Sequence, residues 1–453
     1  MKGFSMRRTG AAIMALAVLC AALLAGGAGA EPLQECHKVT SGWEDTKQEN
    51  KSEIRMWHVE TALPEVTEEI NGIAEAWTAE LGPGLPKAAN TGKKNSRLDV
   101  EIRYSRTGLH WMSFLVQARV TYHNELTAQR VTTRTYDMTT GQRIVMRDLF
   151  DNNPAVWEFL AGRVRETLTS YWPDTEPDAA ALERLCAQEA LEQADFTLHG
   201  MSLVLHYPAE LLYPDRHTLM EVTVFYPEIR ELMSVEAIDE TDNTRYYNTC
   251  ALTFDDGPSA TNTPKVLNVL MQKGVRATFF VIGNRIGDYP FLVAREHDEG
   301  HAIGSHNWHH GNATKSSAAA LRRMPEKVNK AMIKVIGIPV RYDRVPGGRY
   351  PPMIKAKVPW AYIQWSLDTY DWRGRKPDAV LSSVRNQIED GDIILCHDIK
   401  DNTPESARLI IEYLEENGYM LLTIDELFAK DGVELEPLKV YYRCKDGVTS
   451  IKK

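Results

Sequence analysis

The residues best suited to do chemistry start at Thr253-Phe254-Asp255-Asp256-Gly257-Pro258. Ala251 and Leu252 lead in as a short buried strand. Gly257 and Pro258 end it sharply, so Asp255 and Asp256 sit where a strand gives way to a loop. In barrel-like α/β folds that is where chemistry is placed. Two ionised neighbours repel, so such a pair calls for a cation or strong hydrogen-bond donors close by. Downstream, His306 and His310 stand at i, i+4, a spacing that can turn two imidazoles toward one metal. His309 would point elsewhere. One Asp and two His form an open facial set of the kind that leaves water on a divalent metal. Zinc-type polarisation lowers the pKa of such water to about 7. Arg344 with Pro346-Gly347-Gly348, then Asp368 through Asp371-Trp372, then Leu395-Cys396-His397-Asp398, follow in order. Singly these could be a salt bridge, a turn, a core aromatic and a satisfied histidine. Placed together at strand ends, they read as one site.

The elements that must position them are short apolar runs alternating with helical stretches, the pattern of parallel βα units. Strands are expected at 251–255, 277–282, 302–306, 341–345, 362–368, 393–397 and 420–423. Helices are expected between them, clearest at 319–335, 377–389 and 404–417, with Gly418 as a C-terminal cap. Seven such strands suit an irregular barrel better than an open sheet.

The motif set resembles the NodB-type polysaccharide deacetylases, carbohydrate esterase family 4, over about residues 250–429. The resemblance implies an α/β fold with an irregular (β/α)7 barrel-like deacetylase domain, acting on N-acetylated polysaccharide of the cell wall. It implies Asp255 as general base and Asp256, His306 and His310 as metal ligands. Arg344 would orient Asp255, and the Gly347 N–H would help hold the oxyanion. Asp371 would tune His397, the general acid, while Trp372 and Leu395 would shape the acetyl pocket. The cofactor implied is a divalent metal, zinc first, with cobalt, manganese or nickel as alternatives. The chemistry matches: amide hydrolysis needs a nucleophilic water, a Lewis acid, an oxyanion donor and an acid for the leaving amine. Asn307, Asp343 and Val345 depart from the family pattern, which puts loop geometry and substrate fit in question more than catalysis. Chitooligosaccharide and acetylated xylan are the alternative substrates.

The N-terminal half has a different rhythm. Residues 64–80 read as a helix, with Ile70, Ile73 and Trp77 on one face, and 82–96 as a loop. Period-two runs from Leu98 to Tyr104 and from Met112 to Tyr122 predict half-buried antiparallel strands. A helix follows the Asp151-Asn152-Asn153-Pro154 start, a second covers about 178–194, and 196–225 returns to strands. This α+β module holds no clustered metal or catalytic residues. Residues 135–150 and 196–225 resemble the extracellular domain shared by lysozyme-sensing anti-sigma factors and some two-part cell-wall deacetylases, over about residues 50–234, which implies lysozyme or glycan as a partner. The expected division is 1–30, 31–240, 241–430 and a C-terminal extension at 431–453, with 236–249 as linker.

At 453 residues, 43% hydrophobic and 25% charged, the chain reads as a soluble multidomain protein. Lys2, Arg7 and Arg8 before an apolar run, with Ala28-Gly29-Ala30 after it, have the layout of a cleaved secretory signal; uncleaved, the run would anchor the chain in a membrane. The net charge of −10 argues against nucleic acid as a partner. Cys36, Cys186, Cys250, Cys396 and Cys444 lie beyond that segment, an odd number with no CxxC metal spacing.

Overall fold

The computed structural model describes residues 34–43, 47–49, 52–85, 96–122, 125–150 and 153–449. The expected signal segment at 1–30 lies outside them. Among the described residues no helix is long and apolar enough to cross a membrane.

The first sheet runs β1 (Val39–Trp43), β2 (Lys47–Glu49), β3 (Ser52–Thr61), β4 (Ser96–Thr107), β5 (Trp111–Tyr122), β6 (Glu125–Asp137) and β7 (Arg143–Ile144). Helix α1 (Pro64–Leu81) makes the crossover between the parallel pair β3 and β4; β4 to β7 form an antiparallel meander. Val66, Ile70 and Ala74 of α1 pack on Leu98, Val100, Ile102 and Phe114, the face the period-two pattern marks. The opposite face was expected to meet water. It is covered instead: Glu101, Gln117 and Arg119 are buried and Arg103 is half-buried. Alternation gives the pleat but not what covers the second face. Helix α2 (Ala155–Ser170) buries Val156, Leu160, Val164 and Leu168 against a second antiparallel sheet, β8 (Phe196–Leu198), β9 (Ser202–Pro208) and β10 (Leu219–Phe225). The helix expected at 178–194 breaks into Ala179–Leu185 and Gln188–Glu192.

The expected linker is corrected. Residues Val235–Thr241 form helix α3, and Glu240 and Asn243 are buried against the β4–β5 turn. The Glu240 carboxylate accepts from the backbone N–H groups of Leu109 and His110, at 3.2 and 3.1 Å. Asn243 accepts from Gly108 N at 2.8 Å. No loose tether separates the two halves.

The third sheet holds β11 (Asn248–Asp255), β12 (Thr278–Val281), β13 (Ala302–Ser305), β14 (Tyr342–Asp343), β15 (Ala361–Ile363), β16 (Leu367–Asp368), β17 (Asp392–His397), β18 (Tyr419–Leu421) and β19 (Val440–Tyr441). Every strand pair in it is parallel, in the order β16-β17-β11-β12-β13-β14-β15-β19, with β18 also on β11. The single strand expected at 362–368 is two. Its first half pairs with β14 and its second with β17, so one bent stretch of chain crosses from near one end of a curled, barrel-like sheet to the other. The extension at 431–453 contributes an edge: β19 pairs with β15, and Tyr441 and Cys444 are buried. The five described cysteines are unpaired.

Candidate active site

Asp255 ends β11 and its register partner on the neighbouring parallel strand is His397, the end of β17. The two groups therefore meet at one rim of the sheet. Arg344, fully buried, follows β14 on the same rim. Its Nη1 donates to Asp255 Oδ1 at 2.8 Å and to Thr253 Oγ1 at 2.7 Å. Its Nε and Nη2 donate to the carbonyls of Ile363 and Gln364, both at 3.1 Å, in the bend between β15 and β16. The guanidinium also lies 4.0 Å from the Phe280 ring centroid. A planar fork held at four oxygens and stacked on a ring has one orientation. Asp255 inherits it.

Asp256 points the other way because its backbone is left-handed, with φ of +78°. Its Oδ1 lies 3.3 Å from His306 Nε2 and 3.2 Å from His310 Nε2. His306 donates from Nδ1 to the Arg344 carbonyl at 2.5 Å, an assignment that leaves Nε2 free to accept. Asp256 Oδ1 is buried without a hydrogen-bond partner, and the three donor atoms lie within 4.8 Å of one another. One carboxylate and two neutral imidazoles fit a divalent cation. Burial disfavours the Asp256 carboxylate, but the nearby histidines, when protonated, outweigh burial and lower its pKa to about 2. His309 is outside the cluster.

Across the rim, His397 Nδ1 meets Asp371 Oδ1 at 2.8 Å. Asp371 is fully buried, and its Oδ2 also accepts from His397 N at 2.7 Å and Thr403 Oγ1 at 3.0 Å. Gly347 has φ of +64° in the turn after Arg344. Leu395 is buried on β17, and Trp372 is exposed beside Asp371. The structure thus brings Asp255, Asp256, His306, His310, Arg344, Asp371 and His397 to one rim, with Gly347, Trp372 and Leu395 on the loops and strand around it.

The three departures have local explanations in part. Asn307 sits at φ of +62°, a conformation Asn tolerates better than most residues. Its N–H donates to Asp343 Oδ1 at 3.2 Å. Burial pushes the Asp343 pKa up to about 6. Val345 is buried, and nothing further in the structure explains it. Sequence reasoning missed Thr253, Thr403 and Arg285 as supports. Arg285 donates to the Asp256 carbonyl at 2.8 Å. Thr253 opens the first motif and Thr403 follows the last, but no spacing marks Arg285.

Residues 242–359 match the family described as polysaccharide deacetylase. The chain is 31% identical to the peptidoglycan-N-acetylglucosamine deacetylase PgdA of Listeria monocytogenes over 69% of its own length, which spans 66% of that relative. That span is longer than everything from residue 242 to the C-terminus, so it reaches into the N-terminal half. A peptidoglycan-N-acetylglucosamine deacetylase of Bacillus cereus is 34% identical over 39% of this chain and 86% of its own. The peptidoglycan-N-acetylmuramic acid deacetylase PdaC of Bacillus subtilis is 31% identical over 44% of this chain and 42% of its own.

Proposed function

The chain belongs to the polysaccharide deacetylase family, and from that premise we propose that it removes N-acetyl groups from the amino sugars of cell-wall polysaccharide outside the cytoplasm. The observation that carries this is the single rim on which a three-ligand cation site, an Arg-clamped carboxylate and an Asp-backed histidine converge. Asp256, His306 and His310 would hold a divalent ion, zinc in preference to cobalt, manganese or nickel. When bound it supplies Lewis acidity toward the acetyl carbonyl and lowers the pKa of water. Asp255, oriented by Arg344, takes a proton from the attacking water. The Gly347 N–H donates to the developing oxyanion. His397, backed by Asp371, hands a proton to the amine nitrogen as the C–N bond breaks, releasing acetate and a free amine. Trp372 and Leu395 shape the space for the acetyl methyl.

Relatives that act on N-acetylglucosamine and on N-acetylmuramic acid both support peptidoglycan over chitooligosaccharide or acetylated xylan. For the N-terminal half a structural role is favoured over lysozyme binding, because the polar face of its main sheet is already covered. Mass spectrometry of muropeptides from treated sacculi tests the reading. Loss of one acetyl mass per modified sugar is expected, and fragment ions assign it to one sugar or the other. Sacculi left fully acetylated by metal-loaded protein would refute it.

A further inference from the structure

The residues assigned to the reaction end at His397, and the extension at 431–453 carries none of them. That extension is nevertheless built into the barrel. β19 runs alongside β15, with Tyr441 opposite Ile363 in register. Tyr362 N donates to the Lys439 carbonyl at 2.9 Å, and Gln364 N to the Tyr441 carbonyl at 2.7 Å. Gln364 is also where Arg344 rests. Its carbonyl and that of Ile363 accept from the guanidinium that orients Asp255. An unbroken series of hydrogen bonds therefore runs from Asp255 through Arg344 and Gln364 to Tyr441.

The other side of the extension reaches the start of β17, the strand that ends at His397. Arg443 faces Asp392 across an antiparallel bridge, and Cys444 N donates to the Gly391 carbonyl at 2.9 Å. The Arg443 guanidinium meets Glu389 Oε2 at 2.8 Å, the Asp390 carbonyl at 3.0 Å and Asp392 Oδ1 at 3.4 Å. The two backbones approach so closely that a Cβ on Gly391, whose φ is +82°, would collide with the Cys444 carbonyl. β15 and β17 are not neighbours in the sheet. Residues 440–444 thus tie the bend that carries the Arg344 clamp to the strand that carries His397.

We propose that residues 440–444 are a closing stave of the barrel that holds the Ile363 and Gln364 carbonyls under Arg344, so that Tyr441 and Arg443 are positioning residues for the base Asp255. The inference rests on the deacetylase reading above and deepens it. The physical reason is the tolerance of the chemistry. A base displaced by about 1 Å from the attacking water can cost about 100-fold in rate, and the bend at 363–364 is anchored from outside by β19.

The test uses the full chain, metal-loaded, and follows acetate release from muropeptides, with bound metal and circular dichroism measured beside it. Arg443→Gln removes the guanidinium contacts to β17 and leaves the backbone unchanged, and Gly391→Ala pushes the Cys444 carbonyl away. Each is made in the wild type and in Asp255→Asn. In the wild type, Arg443→Gln should lower kcat about tenfold, with KM and bound metal unchanged, and Gly391→Ala should lower it further. In Asp255→Asn neither should cost anything more, because the group they position no longer acts as a base. Should Gly391→Ala fail to fold, Arg443→Gln decides alone. Equal losses in both backgrounds, a loss of metal in Arg443→Gln, or a wild-type kcat in that variant each overturns the stave while leaving the deacetylase reading standing. No acetate from the wild type overturns that reading, and the stave with it.

Discussion

Burial of His397 by itself disfavours the imidazolium. The hydrogen bond and charge of Asp371, with the charges of Asp255 and Asp256, outweigh burial and raise the pKa above the ordinary value. The sign matters for catalysis. A general acid works in its protonated form, so activity should fall as pH rises through the His397 pKa, and a raised pKa carries activity to higher pH. Asp371→Asn removes the charge that lifts it. The alkaline limb of the kcat–pH profile should move to lower pH, and His397→Ala should lower kcat by about 10²–10⁴. An alkaline limb that stays in place in Asp371→Asn would mean that another group supplies the proton.

Between the two ligand loops lies a short helical turn, Gly283–Ile286, that grips both. Ile282 N donates to the Gly257 carbonyl at 2.9 Å, and Gly283 N and Asn284 N donate to the Asn307 and Trp308 carbonyls at 2.8 and 3.0 Å. Arg285 adds its bond to the Asp256 carbonyl. A Cβ on Gly283 would stand 2.7 Å from a Trp308 ring carbon and 2.9 Å from Val328. Gly283→Ala should therefore push the His306–His310 loop away from Asp256. We expect metal affinity to fall about 10–100-fold, the scale of a lost supporting shell, with secondary structure retained. Chelator competition beside circular dichroism measures this, and wild-type affinity would contradict it. No sequence signal marks this turn, since its work is done by backbone N–H groups. By contrast, β11 and the Thr403–Glu416 helix were legible to within a few residues, because period and punctuation are local. The stretch at 362–368 reads as one strand and folds as two, because its ends answer to different neighbours. The helix expected at 319–335 breaks into Ala318–Arg322 and Met324–Ile336, with Pro325 in the first turn of the second. Asp255 and His397 end β11 and β17, and His306 and Arg344 directly follow β13 and β14, positions that period and punctuation mark, whereas His310 and Asp371 lie in the loops beyond.

At the scale of the molecule, the two halves share a buried charge network. Arg119 of β5 lies 2.5 Å from Glu101 of β4 and 3.6 Å from Glu299, which follows the Pro290–Asp298 helix of the barrel. Arg295 of that helix meets Glu299 at 2.6 Å. Thr218 Oγ1, just before β10, donates to Asp298 at 2.6 Å. Burial would raise the Glu101 pKa, but the charges of Arg119, Arg295 and Arg103 outweigh it and hold the carboxyl below the ordinary range. Its contribution to stability is present above the ordinary carboxylate range and is lost as pH falls through that lowered value. Arg119→Met leaves Glu101 without its closest cation and Glu299 with Arg295 alone. The cost should be about 3–5 kcal/mol by chemical denaturation at neutral pH. A cost under about 1 kcal/mol would mean that the Arg119 network does not couple the halves. The covered polar face and the packed segment at 236–249 were illegible in sequence, because a period-two strand reads alike whether its polar side meets water or another domain.

The central claim is that two adjacent carboxylates, Asp255 and Asp256, do different work. It is tested by measuring bound metal by plasma mass spectrometry beside turnover for Asp255→Asn and Asp256→Asn. Asp256→Asn should lose metal and activity together. Asp255→Asn should keep its metal while kcat falls by about 10²–10⁴. Equal metal loss in both variants would make Asp255 a ligand and leave the account without its base.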